Sequence, residues 1–258
     1  MAHEFYRDFS LRKVILSRGR WETISTHRII PQPTLVCTDR ERPLYEAALG
    51  NRVAEYVQIP HELIGMPKIR NWVLDRFDDQ GIFMLDDDLT ALDARTHETV
   101  RSIQDPLVIE QIIDNTYLCA RDAGAKVFGF GVDRRVLHFR GNLPFLVNVW
   151  TDQGWGIIGR DLRFDEHQTV KEDIDLCLLS LMKDRIVWID NRYSWRGIKR
   201  GNIGGLSTYR TMERDRWDAE YLQRKWGQYL RLTHKRAVLG MSISVPRQQP
   251  GIPHARVL

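Results

Sequence analysis

The chain has 258 residues, of which 43% are apolar and 28% charged. That composition excludes a disordered or collagen-like chain, and no apolar run approaches the ~20 residues that cross a bilayer. The net charge of +4 hides a gradient: residues 1–182 carry 22 basic and 28 acidic side chains, whereas residues 183–258 carry 16 and 6. Such asymmetry predicts an anionic partner for the C-terminal part. Thirty of the 38 basic residues are arginine, which suits bidentate phosphate contacts. A GC-rich genome would give the same arginine excess, but not the gradient. Cys37, Cys119 and Cys177 are few, odd in number and far apart, which predicts a reducing cytoplasmic setting without a disulfide framework or zinc knuckle. The first twenty residues are too charged and too broken for a signal peptide.

In chain order, Val14-Ile15-Leu16 reads as a strand ending at the turn Ser17-Arg18-Gly19-Arg20. Residues 24–30 suit a short helix capped by Thr23 or Ser25 and stopped by Pro31 and Pro33. Thr34 to Cys37 reads as a second strand, Arg42 to Leu49 as a helix closed by Gly50, and Glu55 to Ile59 as a third strand. Met66 to Phe77 has helical apolar spacing, and Gly81 to Leu85 is a fourth strand ending in three aspartates. A helix over Pro106 to Ala123 and a strand at Val127 to Phe130 follow. Phe145 to Trp150 and Trp155 to Ile158 suit a hairpin turning at 151–154. A helix over Thr169 to Met182, a strand at Ile186 to Ile189, a long arginine-rich helix over Thr211 to Leu232 and an irregular tail from Pro246 complete the chain. This order predicts an α/β fold with a mainly parallel sheet flanked by helices in a single domain. Ligands in such sheets bind beyond the carboxyl ends of the strands, where the polar segments sit.

Asp86-Asp87-Asp88 is the most informative stretch. An apolar strand that delivers three carboxylates to its end suffers self-repulsion, which a divalent cation relieves. Hard oxygen ligands suit Mg²⁺ or Mn²⁺, and these cations usually also bind substrate phosphates. The competing explanation is a helix cap beginning at Asp88, for which one aspartate suffices. No Walker A or GxGxxG loop is present, and the first strand carries no carboxylate at its end, as a haloacid-type phosphatase would.

Four stretches resemble a GT-A nucleotide-sugar transferase with a Rossmann-like donor half. Val14 to Thr23 resembles its first strand and nucleotide loop, and Cys37-Thr-Asp39 its second strand end. Gly65 to Trp72 resembles the helix before the metal motif, and Leu85-Asp-Asp-Asp-Leu89 the DxD-type motif itself. Lys171-Glu172-Asp173-Ile-Asp175 resembles the acidic motif of inverting members. Together with Lys68-Ile-Arg70-Asn71, Arg163-Phe-Asp165-Glu166 and Asn202-Ile-Gly204-Gly205, these features are most similar to the phage TET/JBP-associated glycosyltransferase family, itself similar to the base J glucosyltransferase. The resemblance implies transfer of a sugar from a UDP-sugar (UDP-glucose or UDP-N-acetylglucosamine) to 5-hydroxymethylcytosine or 5-hydroxymethyluracil in DNA. It implies Asp173 as catalytic base with Glu172 second, and Mn²⁺ or Mg²⁺ on Asp86 and Asp88, with His234 as a late ligand. For the nucleotide-sugar it implies Ser17, Arg18, Gly19, Arg20, Asp39, Lys68, Arg70, Asp86 and Asp87. It divides the chain into a GT-A domain over 1–245, donor-binding in about 12–95 and acceptor-binding and catalytic in about 96–245, and a tail over 246–258. If phage-encoded, the protein would act in the host cytoplasm.

Several of these residues have a plainer explanation. Glu172 and Asp173 would also serve as a charged first helical turn, and His234 as a surface histidine on a basic helix end. Trp188 and Trp150 lie in apolar runs that suit core, and His138 suits a partly buried strand. Trp195, between Ser194 and Arg196, is free to stack on a base or sugar. Twelve basic residues fall between 192 and 236, interleaved with aromatic residues, and they make Trp195, Arg196, Lys199, Arg200 and Arg210 the candidate DNA contacts. Trp217, Tyr221 and Trp226 have helical spacings that suit core. A GT-A enzyme with a sugar, lipid or protein acceptor, and a non-catalytic DNA-binding protein, are the alternatives.

Overall fold

The computed structural model describes residues 10–96, 98–132, 139, 141–198, 211–235 and 238–246, the side chains of 234–239 excepted. Three parallel strands, β1 (Leu11–Leu16), β2 (Thr34–Thr38) and β3 (Glu55–Ile59), form one side of the main sheet, with helix α1 (Arg42–Leu49) between the last two. Helix α2 (Met66–Arg76) leads to β4 (Gly81–Asp86), which lies parallel to β1 with Asp86 opposite Leu16. The acidic triplet then turns directly into another strand, β5 (Leu89–Arg95), so the helix-cap explanation of Asp88 fails. With β6 (Val100–Ile103) and β11 (Tyr193–Gly197), β5 forms a small antiparallel sheet that sequence periodicity did not predict.

Helix α3 (Pro106–Asp122) begins where the Asp105 carboxylate accepts from the Leu107 and Val108 backbone N–H groups, with Pro106 at its first position. Strands β7 (Val127–Phe130), β8 (Phe145–Leu146), β9 (Gly154–Ile158) and β10 (Trp188–Asp190) complete the eight-stranded sheet in the order β3-β2-β1-β4-β9-β7-β10-β8. The expected hairpin between 145 and 158 is therefore wrong. Instead β8 pairs with β10, while β9 inserts antiparallel between β4 and β7.

Helix α4 spans Glu172–Lys183, three residues later than its apolar pattern suggests. The cause is local: Asp218 accepts from the Thr169 and Val170 N–H groups, and Lys171 holds left-handed backbone (φ 66°), which no helix continues through. Helix α5 (Met212–Trp226) is also shorter than expected. Gly227 ends it at φ 54°, and residues 230–235 form β12 (Leu230–Lys235), paired antiparallel with β13 (Val238–Ile243). Residues 24–30 contain only a single 3₁₀ turn (Thr26–Arg28), because the Ser25 hydroxyl bonds the Leu89 carbonyl rather than capping it.

Strand alternation sorts the core into two layers. Val14, Val36, Ile82 and Met84 face α2, α4 and α5, whereas Ile15, Leu35, Phe83 and Leu85 face α1 and α3. No described helix is long and apolar enough to cross a membrane.

Candidate active site

The carboxyl ends of β1 and β4 open onto a pocket lined by Ser17, Arg18, Arg20, Val36, Ile59, Met66 and the three aspartates. Its wall is built from a chain of hydrogen bonds. The Tyr45 hydroxyl donates to Ser17 Oγ (2.6 Å) and accepts from the Arg20 N–H, while Ser17 donates to Asp87 Oδ2 (2.5 Å). Arg20 Nη1 donates to Asp87 Oδ1 at 2.6 Å and lies 3.4 Å from Asp88 Oδ2. The buried Asp87 carboxylate thus has two polar partners inside the protein, and its carbonyl accepts from the Ser25 and Thr26 N–H groups.

Asp86 and Asp88 are placed differently. Burial and the neighbouring Asp88, Asp87 and Asp152 charges push the Asp86 carboxyl well above the usual range, against the pull of Arg70. Burial and Asp87 push Asp88 the same way, against Arg20. Two crowded carboxylates with raised pKa values suit a cation, since a divalent ion relieves both effects. Among the described residues no three His, Cys, Asp or Glu side chains assemble as a metal site. The protein offers two carboxylates, and a hard cation would complete its shell from ligand phosphates and water.

On the far side of Asp86 lies a second cleft, lined by Arg70, Trp150, Asp152, Gln153, Trp155, Glu172 and Asp173. Asp86 lines both cavities. Arg70, only 4% exposed, links the elements: its Nε donates to Glu172 (3.1 Å), its Nη2 lies 3.9 Å from Asp86, and its guanidinium sits 4.9 Å from the Trp155 ring centre. Its Nη1 has no hydrogen-bond partner among the described residues. A buried charged donor without a partner costs stability unless a ligand supplies one. Glu172 is committed to Arg70, which leaves Asp173 available to the cleft together with Asp152 and Asp86. Burial, then Glu172 and Asp152, push Asp173 up to about 7. Burial alone pushes Asp152 up to about 7.

The structure thus gathers Ser17, Arg18, Arg20, Arg70, Asp86, Asp87, Asp88, Glu172 and Asp173 around two cavities that share Asp86. Arg18 is braced by the His61 and Leu63 carbonyls (2.8 and 3.2 Å), and Gly19 supplies the left-handed turn (φ 68°) between the two arginines. Lys68 and Asp39 are exposed and line neither cavity, although Asp39 stands at the end of β2. Trp195 is corrected: it is 3% exposed, donates to the Gly154 carbonyl (2.9 Å) and packs on Phe83 and Phe130, so neither face is open to a base. Arg196 is engaged by the buried Asp93 (2.8 Å). Lys199, Arg200, Arg210, His138 and the 202–205 segment lie outside the described residues. The His234 side chain does too, although its backbone belongs to β12 and not to a helix end.

Sequence reasoning missed Asp152, Gln153 and Met241 in the second cleft and assigned Trp150 to the core. The available signal was the acidic Thr151-Asp152-Gln153-Gly154 segment between two tryptophans, which resembles an ordinary turn until β9 is placed beside β4.

The sequence profile described as TET-Associated Glycosyltransferase matches residues 13–202. No curated protein sequence matches the chain significantly. Among solved structures, Staphylococcus aureus TarS 1–349 in complex with UDP-GlcNAc is similar over 83% of this chain and 67% of its own, at 12% identity and a TM-score of 0.51. Mannosyl-3-phosphoglycerate synthase from Rubrobacter xylanophilus is similar over 95% and 88%, at 12% identity and a TM-score of 0.49. Against TarS 1–349 without that ligand the chain spans 72% of its own length and 59% of the other, at 10% identity and a TM-score of 0.47. The architecture is that of the GT-A fold, as the order of strands and motifs implied.

Proposed function

The chain belongs to the TET-associated glycosyltransferase family, and on that footing we propose that it moves a sugar from a UDP-sugar to the hydroxyl of a 5-hydroxymethylpyrimidine in DNA, with inversion. The observation that carries this reading is the pairing of two cavities through Asp86, one walled by Arg18, Arg20 and Asp88, the other holding Asp173 with its pKa near 7. TarS, of the same fold, binds UDP-GlcNAc, which supports a UDP-linked donor in the first cavity.

The chemistry follows from the layout. A hydroxymethyl group is a weak nucleophile at neutral pH and needs a base whose pKa lies near the working pH. Asp173 takes the hydroxyl proton as the oxygen attacks the anomeric carbon. The bond from that carbon to the β-phosphate oxygen breaks, and its electron pair leaves with the nucleoside diphosphate. Inversion requires attack from the face opposite the departing phosphate, and a base at Asp173 with the diphosphate in the first cavity would support it. Arg70 is held by Glu172 and Trp155, and its buried Nη1, without a partner among the described residues, is available to donate to the developing charge. A divalent cation on Asp86 and Asp88, when bound, supplies Lewis-acid stabilisation of the diphosphate. The basic excess of residues 183–258 supports an anionic acceptor.

The test is direct. The protein is incubated with Mn²⁺, labelled UDP-glucose or UDP-N-acetylglucosamine, and DNA carrying 5-hydroxymethylcytosine or 5-hydroxymethyluracil. Label is expected in modified DNA and not in unmodified DNA. Label in neither, from either donor, overturns the acceptor assignment. UDP-sugar hydrolysis that DNA does not stimulate would favour a sugar, lipid or protein acceptor instead.

A further inference from the structure

The cleft does not end at Asp173. Trp150 and Met241 line it, and both also line a third cavity of about 290 Å³. This cavity lies between hairpin β12–β13 and the β8–β10 edge of the sheet. Its walls are largely apolar, with Leu146, Val149, Ile189 and Ile243, and Arg95 and Asn191 provide polar atoms. Arg95 is held in place by the Asn191 side chain and backbone carbonyl.

Three features give it a flat, aromatic ligand. First, the Trp150 ring is only half-buried, borders both cavities, and its indole N–H makes no hydrogen bond among the described residues. Secondly, Gln153 lines the adjoining cleft, not this cavity, on left-handed backbone (φ 63°), with its carbonyl fixed by the Asp86 N–H (2.8 Å). Strained backbone of this kind persists where the surroundings impose it, and it commonly marks ligand sites. The Gln153 amide makes no hydrogen bond among the described residues, and it offers the donor and acceptor that the edge of a base requires. Thirdly, the space is a half-open recess and not a flat surface. A base inside a duplex has both faces stacked and cannot enter between Trp150 and Met241 while paired.

We propose that this cavity seats the acceptor base. A single pyrimidine, turned out of the helix, stacks on Trp150, which borders both spaces, with its amide edge and its 5-hydroxymethyl group turned into the adjoining cleft, towards Gln153 and Asp173. The proposal rests on the DNA-acceptor reading above and specifies how that acceptor is held. It also assigns Trp150 and Gln153 to the acceptor and not to the donor sugar.

The full chain is assayed with UDP-glucose and UDP-N-acetylglucosamine on matched oligonucleotides containing 5-hydroxymethyluracil, single-stranded, paired and mispaired, with 2-aminopurine beside the modified base. Binding of the duplex should raise 2-aminopurine fluorescence, and acceptor KM should fall from paired to mispaired to single-stranded DNA, since unstacking is already achieved. Trp150→Ala should raise acceptor KM about tenfold or more, as loss of a base-stacking ring does, with donor KM within about twofold. Trp150→Phe should restore most of the loss, which separates stacking from folding. An unchanged acceptor KM in Trp150→Ala, a raised donor KM in its place, or no fluorescence change on wild-type binding overturns the base seat and leaves the proposed function standing. No transfer by the wild type to any modified DNA overturns both.

Discussion

The two sides of Asp86 are built on different principles. On the donor side the charges are already paired: Asp87 with Arg20 and Ser17, Arg18 with two carbonyls. On the acceptor side Arg70 pairs with Glu172, but Asp173 and Asp152 have no cation partner among the described residues. Asp173 and Asp152 are pushed up to about 7, and Arg70 keeps one buried N–H group without a partner. A binding wall needs a fixed shape, which satisfied hydrogen bonds provide. A reacting centre needs groups that change protonation and partners, and these destabilise the resting fold.

The sharpest way to break this contrast is at Asp173. Asp173→Asn should reduce transfer by roughly 10²–10⁴-fold, the usual worth of a general base, while UDP-sugar binding by calorimetry is kept. Retained transfer would place the base elsewhere. The pH profile carries the same information. With its pKa near 7, Asp173 is protonated below that value, so kcat should fall about tenfold per pH unit below 7 and level off above it. The stability effect has a definite sign. The folded carboxyl titrates near 7 and the unfolded one near about 4, so the native state binds the extra proton between those values, and stability should fall as pH rises through that window. Asp173→Asn should flatten that slope.

Arg70 tests whether the two sides share one support. Arg70→Ala leaves Glu172 buried and unpaired, which should cost about 3–5 kcal/mol, read by denaturant unfolding. Removing both charges in Arg70→Met with Glu172→Leu should recover much of that stability without recovering transfer. Equal recovery of activity would make Arg70 a purely structural residue.

The aspartate triplet allows the comparison within three residues. Asp87→Ala removes the partner of Arg20 and Ser17 and should lower stability by about 1–3 kcal/mol. Asp88→Ala, at a carboxyl raised by burial and by Asp87, should cost less stability than Asp87→Ala yet abolish stimulation of transfer by Mn²⁺. The opposite assignment of the two phenotypes would refute the division of labour drawn here.

Legibility in the sequence follows the same divide. The donor half is a run of parallel strands and helices whose apolar periods, turns and caps are local, so β1 to β4 and the acidic strand end could be read directly. The acceptor half depends on partners distant in sequence. Strand β9 has no periodic mark that distinguishes a central antiparallel strand from one arm of a hairpin, so Asp152 and Gln153 passed as turn residues. Residues 230–235 follow the helix closely, and the short turn Gly227–Tyr229, opened by a glycine at φ 54°, separates the two. Trp195 lies beside Ser194 and Arg196 and looks exposed, yet strand alternation turns the indole into the core and the arginine to the opposite face, against the buried Asp93.

The smallest test concerns the arginine-rich helix α5, whose aromatics were expected in the core. Trp217 is 40% exposed, stacks on Tyr221 at 5.4 Å with planes 10° apart, and has the Arg214 guanidinium 4.4 Å from its ring centre. Tyr221 in turn donates to Asp165 (2.7 Å), which also holds Lys225 (2.7 Å). The helix is thus fixed to the domain by Asp165 and Asp175 beneath it, and Trp217 contributes only an exposed stack. Trp217→Ala should therefore cost about 0.5–1 kcal/mol, whereas Asp165→Ala, which frees both Tyr221 and Lys225, should cost more. If Trp217→Ala also weakens DNA binding with little loss of stability, the acceptor surface extends from the Trp150 cleft onto α5. If it changes stability alone, the stack only orders the helix, and the basic excess of the C-terminal part acts through other arginines.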